Sequence, residues 1–236
     1  MSATGARTPS WAAVRPVAGR RAERVLLAAF GAAAAADLGA LLAGWHLGHV
    51  LAKPLLMPLL VAYALTRGAP RLLVAALLFG WGGDLALLFD AEPAFLVGMG
   101  SFAAGHVCYL VLFGQRSPSG RGGPSRAAGA AYALALVGTV ALLWPDLPAD
   151  LRIPVAGYSL LLTAMAYRAG VLGRAAAAGG ALFLLSDTLI ATGVAGWPQL
   201  PRPDFWIMAT YLAAQCLLAL GAVARGQAYG REVIQD

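Results

Sequence analysis

The sequence predicts an all-α polytopic membrane protein, a bundle of eight transmembrane helices with both termini cytoplasmic. Three observations carry this. First, 60% of the 236 residues are hydrophobic, only 12% are charged, and mean hydropathy is +0.72. A soluble domain keeps roughly a quarter of its residues charged. Second, mostly apolar segments long enough to cross a bilayer, about 20 residues, recur along the chain. Third, fourteen of the seventeen basic residues fall on one side of the alternating segments, the bias that marks cytoplasmic loops. The net charge of +6 is therefore read as topology, and no nucleic-acid partner is expected.

The spans are read at 24–44, 49–66, 71–89, 94–114, 127–144, 152–168, 174–193 and 204–224. A basic arm holding Arg7, Arg15, Arg20 and Arg21 precedes the first and is expected to be disordered over 1–22. A signal peptide is the competing reading of this region. The first apolar run nevertheless exceeds the usual h-region of about 7–15 residues, so it reads as an uncleaved span. "RGAPR" at 67–71, "DAEP" at 90–93, "SPSGRGGPS" at 117–125, "WPDLPAD" at 144–150 and "GWPQLPRPD" at 196–204 supply the joints. Such short turns imply antiparallel neighbours. The transmembrane domain is thus 23–225, followed by a cytoplasmic tail at 226–236. Cys108 and Cys216 lie in apolar runs, so neither a disulfide framework nor a metal-binding pair is expected.

Ionisable groups at membrane depth are costly and point to function. Four charged residues stay inside spans: Asp37, Lys53, Asp84 and Asp187. Asp84 lies thirteen residues from Arg71, and Asp187 thirteen from Arg174. Lys53 lies fourteen from Arg67 and His106 ten from Arg116. At 1.5 Å per residue these groups sit about 15–21 Å from the inner interface, in one layer. Helical spacing adds faces. Gly98, Phe102, His106 and Tyr109 share one, as do Gly80, Gly83, Asp84 and Leu87, then Tyr158, Leu162 and Met165. Tyr211 and Gln215 are one turn apart. Asp37 belongs to no recognised motif and is left out of the site. His46 and His49, beside Trp45, read as interfacial anchors.

The ordered motifs "KPLLMPLL" (53–60), "GDLALL" (83–88), "GMGSFAAGHVCY" (98–109), "GALFLLSDTLIA" (180–191) and "TYLAAQCLLA" (210–219) resemble the YhhN family, which includes transmembrane lysoplasmalogenases. The resemblance covers roughly residues 25–224. It implies a multi-pass enzyme of the cell membrane, an ether hydrolase that cleaves the vinyl-ether bond of a lysophospholipid substrate. The products would be a fatty aldehyde and a glycerophospho-alcohol. The family's polar positions carry over to Lys53, Asp84, His106, Tyr109, Tyr158, Ser186, Asp187, Tyr211 and Gln215.

Vinyl-ether hydrolysis needs an acid that protonates carbon and a carboxylate that stabilises the resulting cation or activates water. Glycosidases meet a related demand with two carboxylates. Asp84 and Asp187 are the expected catalytic pair, because close burial favours one proton shared between two acids. Lys53 is expected to hold one aspartate ionised or to bind phosphate, and His106, Tyr109 and Gln215 to orient water or the glycerol hydroxyl. No cofactor and no metal is expected. The bland alternatives are an ion pair of the aspartates with Lys53, a buried hydrogen-bonded His106, and packing roles for Tyr158 and Tyr211. Two other function classes compete. One is a metal-dependent lipid hydrolase with Asp84, His106 and Asp187 as ligands. The other is a transporter or flippase, with helices broken at Gly82–Gly83 and Pro54. Ser186 lacks the G-x-S-x-G setting of a serine hydrolase.

Overall fold

The computed structural model describes residues 19–115 and 124–235, with side chains to residue 224. Eight helices follow one another: α1 (Arg20–Ala43), α2 (His46–Thr66), α3 (Arg71–Ala86), α4 (Glu92–Gln115), α5 (Arg126–Leu143), α6 (Arg152–Ala169), α7 (Arg174–Val194) and α8 (Pro203–Gln235). No strand occurs among the described residues. Seven of the helices are long and apolar enough to cross a membrane. The fold is that of an all-α polytopic membrane protein.

Helix α3 is the exception in length. Its 16 residues span about 24 Å, short of the roughly 30 Å hydrocarbon core. The expected end was residue 89, but the backbone tightens at Leu87. There Leu88 and Phe89 donate to the carbonyls of Leu85 and Ala86 at 3.2 and 3.1 Å, and the chain turns at Asp90. At the other boundaries, residues 1–18 of the expected arm and residues 116–123, which include most of the joint at 117–125, lie outside the described residues. The arm's last residues, from Arg20, are already helical, and α8 runs on through most of the expected tail.

Local chemistry explains the joints. Gly44 and Gly68 adopt left-handed backbone, φ 69° and 72°, which glycine reaches without a Cβ penalty. Each closes a helix so that the next can fold back. Ser125 caps α5 by accepting from the Ala128 N–H at 3.1 Å, as a serine N-cap does. Helix α2 carries Pro54 and Pro58 yet stays continuous. Pro58 has no N–H for the carbonyl four residues earlier, and that carbonyl, of Pro54, is taken by the indole Nε1–H of Trp81 at 2.9 Å. Trp81→Phe is accordingly expected to lower stability by about 1–3 kcal/mol, the cost of an orphaned buried acceptor, read as an earlier thermal unfolding midpoint in detergent.

The main core joins α2, α3, α4, α6, α7 and α8 through Leu56, Leu77, Phe113, Met165, Phe183 and Leu218. The closest packing is within the pairs α1–α2, α3–α4 and α7–α8. Small residues permit it: a Cβ on Gly180 would stand 2.8 Å from the Ala166 backbone, and one on Gly179 2.9 Å from the Ala214 carbonyl oxygen. Close backbone approach of this kind drives helix association in lipid. Large apolar residues such as Leu51, Leu55, Val97, Leu134 and Ile153 face outward, as a lipid-facing belt requires. Helix α5 stands apart, packed on α6 and only lightly on α7.

Candidate functional site

The expected faces form. Gly98, Phe102, His106 and Tyr109 are all buried on α4, and Gly80, Gly83 and Asp84 on α3. The polar side chains gather into two hydrogen-bonded groups. The first is closed to the surroundings. Asp84, only 2% exposed, accepts at Oδ2 from the Tyr211 hydroxyl of α8 at 2.8 Å. Gln215 donates from Nε2 to that same hydroxyl at 3.3 Å, and its Oε1 accepts from the Tyr109 hydroxyl at 2.7 Å. Three helices therefore meet in one chain of polar contacts.

Gly80 makes this chain possible. A Cβ there would stand 2.7 Å from Gln215 Nε2 and 3.1 Å from the Tyr211 hydroxyl. Gly80→Ala is expected to push both away from Asp84 and to break the Tyr211–Asp84 contact. The same variant should still purify as a helical, monodisperse protein, because overpacking of one methyl costs only about 1–3 kcal/mol.

The second group borders a cavity. Tyr158 of α6 donates its hydroxyl to Asp187 Oδ2 of α7. His106 Nε2 lies 3.1 Å from the Tyr158 hydroxyl oxygen. With the tyrosine proton committed to the carboxylate, His106 Nε2 is the donor of the pair, by the assigned network. Its buried Nδ1 has no partner. Asp187 and Tyr158 sit in the wall of an apolar cavity of about 300 Å³ bounded by α4, α5, α6 and α7. Phe102, Met99, Leu162, Leu184 and Val194 are among its lining residues.

Aromatic rings join the two groups. The Phe183 ring meets His106 edge-on at 4.8 Å and Tyr211 at 5.4 Å, between centroids. Phe102 lines the cavity and meets Tyr211 at 5.8 Å. Phe183 thus links the tyrosine that bonds Asp84 to the histidine beside Tyr158, and Asp84 and Asp187 lie within electrostatic reach of one another.

Lys53 is buried on α2, 6% exposed, and lies within electrostatic reach of Asp84. It forms no ion pair among the described residues, so the reading of the aspartates as a salt bridge with Lys53 finds no contact. Ser186 is turned away: its hydroxyl donates to the Ile207 carbonyl at 3.0 Å and ties α7 to α8. Seven of the nine expected polar residues therefore fall in the two hydrogen-bonded groups, and Lys53 lies within electrostatic reach of the first. Ser186 serves packing, as its i−1 position beside Asp187 on a helix dictates.

Two features escaped the sequence reading. Phe183 lies one turn before Asp187 on α7, and helical spacing from the acid would have found it. The other is a pair on the first hairpin. Asp37, fully buried, accepts at Oδ1 from His49 Nδ1 at 2.8 Å, and its Oδ2 has no partner. His49 is therefore half-buried and paired, unlike the exposed His46 and Trp45. Asp37 and His49 both act electrostatically on Asp84. No three histidine, cysteine or acidic side chains converge as a metal site among the described residues.

The sequence model of the YhhN family matches residues 48–222, a stretch that carries both polar groups. The lysoplasmalogenase TMEM86B of Homo sapiens is 37% identical over 156 residues, covering 66% of this chain and 65% of that protein. The chain thus spans a little under two thirds of the human protein's length. The TMEM86B lysoplasmalogenase of Rattus norvegicus is 35% identical over 76% of this chain and 74% of its own. A lysoplasmalogenase of Mycobacterium bovis is 34% identical over 79% and 74%. No solved structure matches the chain. By the extent of the profile match and by these relatives, the chain belongs to the YhhN family.

Proposed function

We propose that the protein is a lysoplasmalogenase, a hydrolase of the vinyl-ether bond of lysoplasmalogens. The observation that carries this reading is an ionisable pair, Asp187 with Tyr158, set in the wall of an apolar cavity at membrane depth. A lipid chain fits the apolar lining, and the acid meets the chain where it becomes polar.

The reaction is R–CH=CH–O–R′ plus water, giving R–CH2–CHO and HO–R′. Asp187 is the group that reaches the lipid. Its Oδ2 is engaged by Tyr158, which leaves Oδ1 to carry the transferable proton. Protonation of the alkene carbon distal to oxygen breaks the double bond and leaves an oxocarbenium ion. Asp187, now a carboxylate, takes a proton from the water that adds to this cation. The hemiacetal then collapses, the C–O bond to glycerol breaks, and the alcohol leaves with a proton. Acid and base are therefore one residue at successive steps, and no proton is consumed overall. Asp84 supplies fixed negative charge within electrostatic reach of Asp187, where low dielectric strengthens its attraction for the cation. Tyr211, Gln215 and Tyr109 position that carboxylate, and His106 positions Tyr158. Lys53 offsets the charge of Asp84. This account is proposed for Asp84, Asp187 and the supporting residues together.

We place both termini in the cytoplasm of the cell membrane. Arg67, Arg71, Arg126, Arg168 and Arg174 stand at helix ends on the same side as the N-terminus of α1. The breaks at Pro54 or Gly82–Gly83 that could serve a transporter do not form: α2 and α3 run unbroken through these positions.

The test uses purified protein and lysoplasmenylethanolamine. Fatty aldehyde and glycerophosphoethanolamine should appear, and exhaustive chelation should leave the rate unchanged. Movement of the lipid without conversion would favour transport instead, and activity lost on chelation and restored by a divalent ion would favour the metal-dependent hydrolase.

A further inference from the structure

The lining of the cavity beside Asp187 includes outward-facing Ala135 of α5 and Leu185 of α7, and the packing of α5 offers a way in from the bilayer. Among its residues only Leu143 is buried, and the helix leans on α6 with few other neighbours. Ala135, Leu136 and Thr139 form the α5 wall of the cavity. A second, strongly apolar hollow of about 400 Å³ lies along the same α5–α6 seam, lined by Leu136, Val137, Val140, Ala156 and Leu160. Val137 and Leu160 are among the outward-facing residues, so this hollow faces lipid. Leu136 borders both spaces. Leu136 is thus the side chain shared by the lipid-facing hollow and the cavity that holds Asp187.

From this we infer that the α5–α6 seam, bordered by Leu136, is a lateral doorway for the single hydrocarbon chain of a lysolipid. The inference rests on the proposed function for the identity of the lipid, and the seam itself rests on packing alone. A lysolipid resides in the membrane, so its chain is already at the height of the seam. Passing it sideways between two helices avoids taking it through water, where each exposed methylene costs about 0.8 kcal/mol. The loose packing of α5 allows the small separation that entry requires, since a helix with few buried contacts moves at low cost. The polar head stays near the interface, while the first carbons of the chain come to Asp187 and Tyr158.

The experiment uses a 1-O-alkyl lysophosphatidylethanolamine with a diazirine at the chain terminus, which the enzyme cannot cleave. After photolysis, mass spectrometry of peptides from the full-length protein in lipid vesicles locates the label. It should fall on α5 and α6 residues bordering the two spaces, and unlabelled lysolipid should compete it away. Leu136→Trp should reduce labelling and the kcat/KM for long-chain substrate about tenfold, the effect of an overpacking cost of ordinary size. Leu136→Ala, which opens the seam, should keep or raise both. Leu134→Trp, at a position 75% exposed to lipid and outside both linings, should change neither. Label confined to other helices, or label in the seam that Leu136→Trp leaves unchanged, would overturn the doorway. Labelling as described with no aldehyde from any vinyl-ether lipid would instead overturn the proposed reaction and leave the doorway standing.

Discussion

Asp187→Asn is expected to lower turnover of lysoplasmenylethanolamine by at least about 10²-fold, the lower end of what general acid–base catalysis contributes. Asparagine keeps the shape of the side chain and an oxygen to accept from Tyr158, so the bundle should insert and fold as before. What it lacks is a proton that can be given to carbon and recovered from water. KM should change little, because the apolar lining that binds the chain is untouched. Tyr158→Phe gives the companion result: the carboxylate loses its only described donor, and activity should fall while remaining above that of Asp187→Asn. Wild-type turnover in a folded Asp187→Asn protein would remove this residue from the chemistry.

Asp84→Asn should be nearly as damaging by a different route. This carboxylate is not among the residues lining the cavity, so its contribution is charge felt at a distance. Stabilising a cation through a medium of low dielectric is worth several kcal/mol in favourable cases, and a fall in kcat of about 10²-fold or more is expected with little change in KM. Asparagine still accepts from Tyr211, so the hydrogen-bonded chain to Gln215 and Tyr109 survives. Tyr211→Phe should lower kcat less than Asp84→Asn, since it removes only the positioning contact and leaves the charge. Equal loss in all four variants, accompanied by poor insertion, would mean that the polar groups hold the bundle together and do nothing else.

Much of this arrangement was legible in the sequence. The α4 face of Gly98, Phe102, His106 and Tyr109 follows from 3.6-residue periodicity, and a stripe that combines small, aromatic and titratable residues in an apolar span has to face inward. Tyr211 and Gln215, one turn apart, read the same way and do bond to one another. The heights of Asp84 and Asp187 followed from counting residues from arginines at helix ends. Counting gives height but not azimuth. It could not show that Asp187 faces a cavity while Asp84 is sealed against α8. Ser186 illustrates the same gap: it shares the height of Asp187 but points 100° away around the helix axis, into the α7–α8 contact.

The pairing of Asp37 with His49 was hidden for another reason. These residues lie on different helices across the α1–α2 turn, so no single-helix pattern links them, and Asp37 precedes the residues matched by the family profile. The early end of α3 was hidden because Leu87, Leu88 and Phe89 are as apolar as any residues within a span. Hydropathy alone gives no reason to stop there, and the turn is set by the fold of Asp90 into α4.

The central claim is that a proton from the protein is delivered to the alkene carbon of a vinyl ether bound within the bilayer. The most direct test is hydrolysis by the purified protein in heavy water, with vinyl-ether, alkyl-ether and acyl lysophosphatidylethanolamines side by side. The expected result is aldehyde from the vinyl-ether lipid alone, carrying one deuterium on the carbon next to the carbonyl. Fatty acid released from the acyl lipid, or aldehyde formed without deuterium at that carbon, would contradict the account.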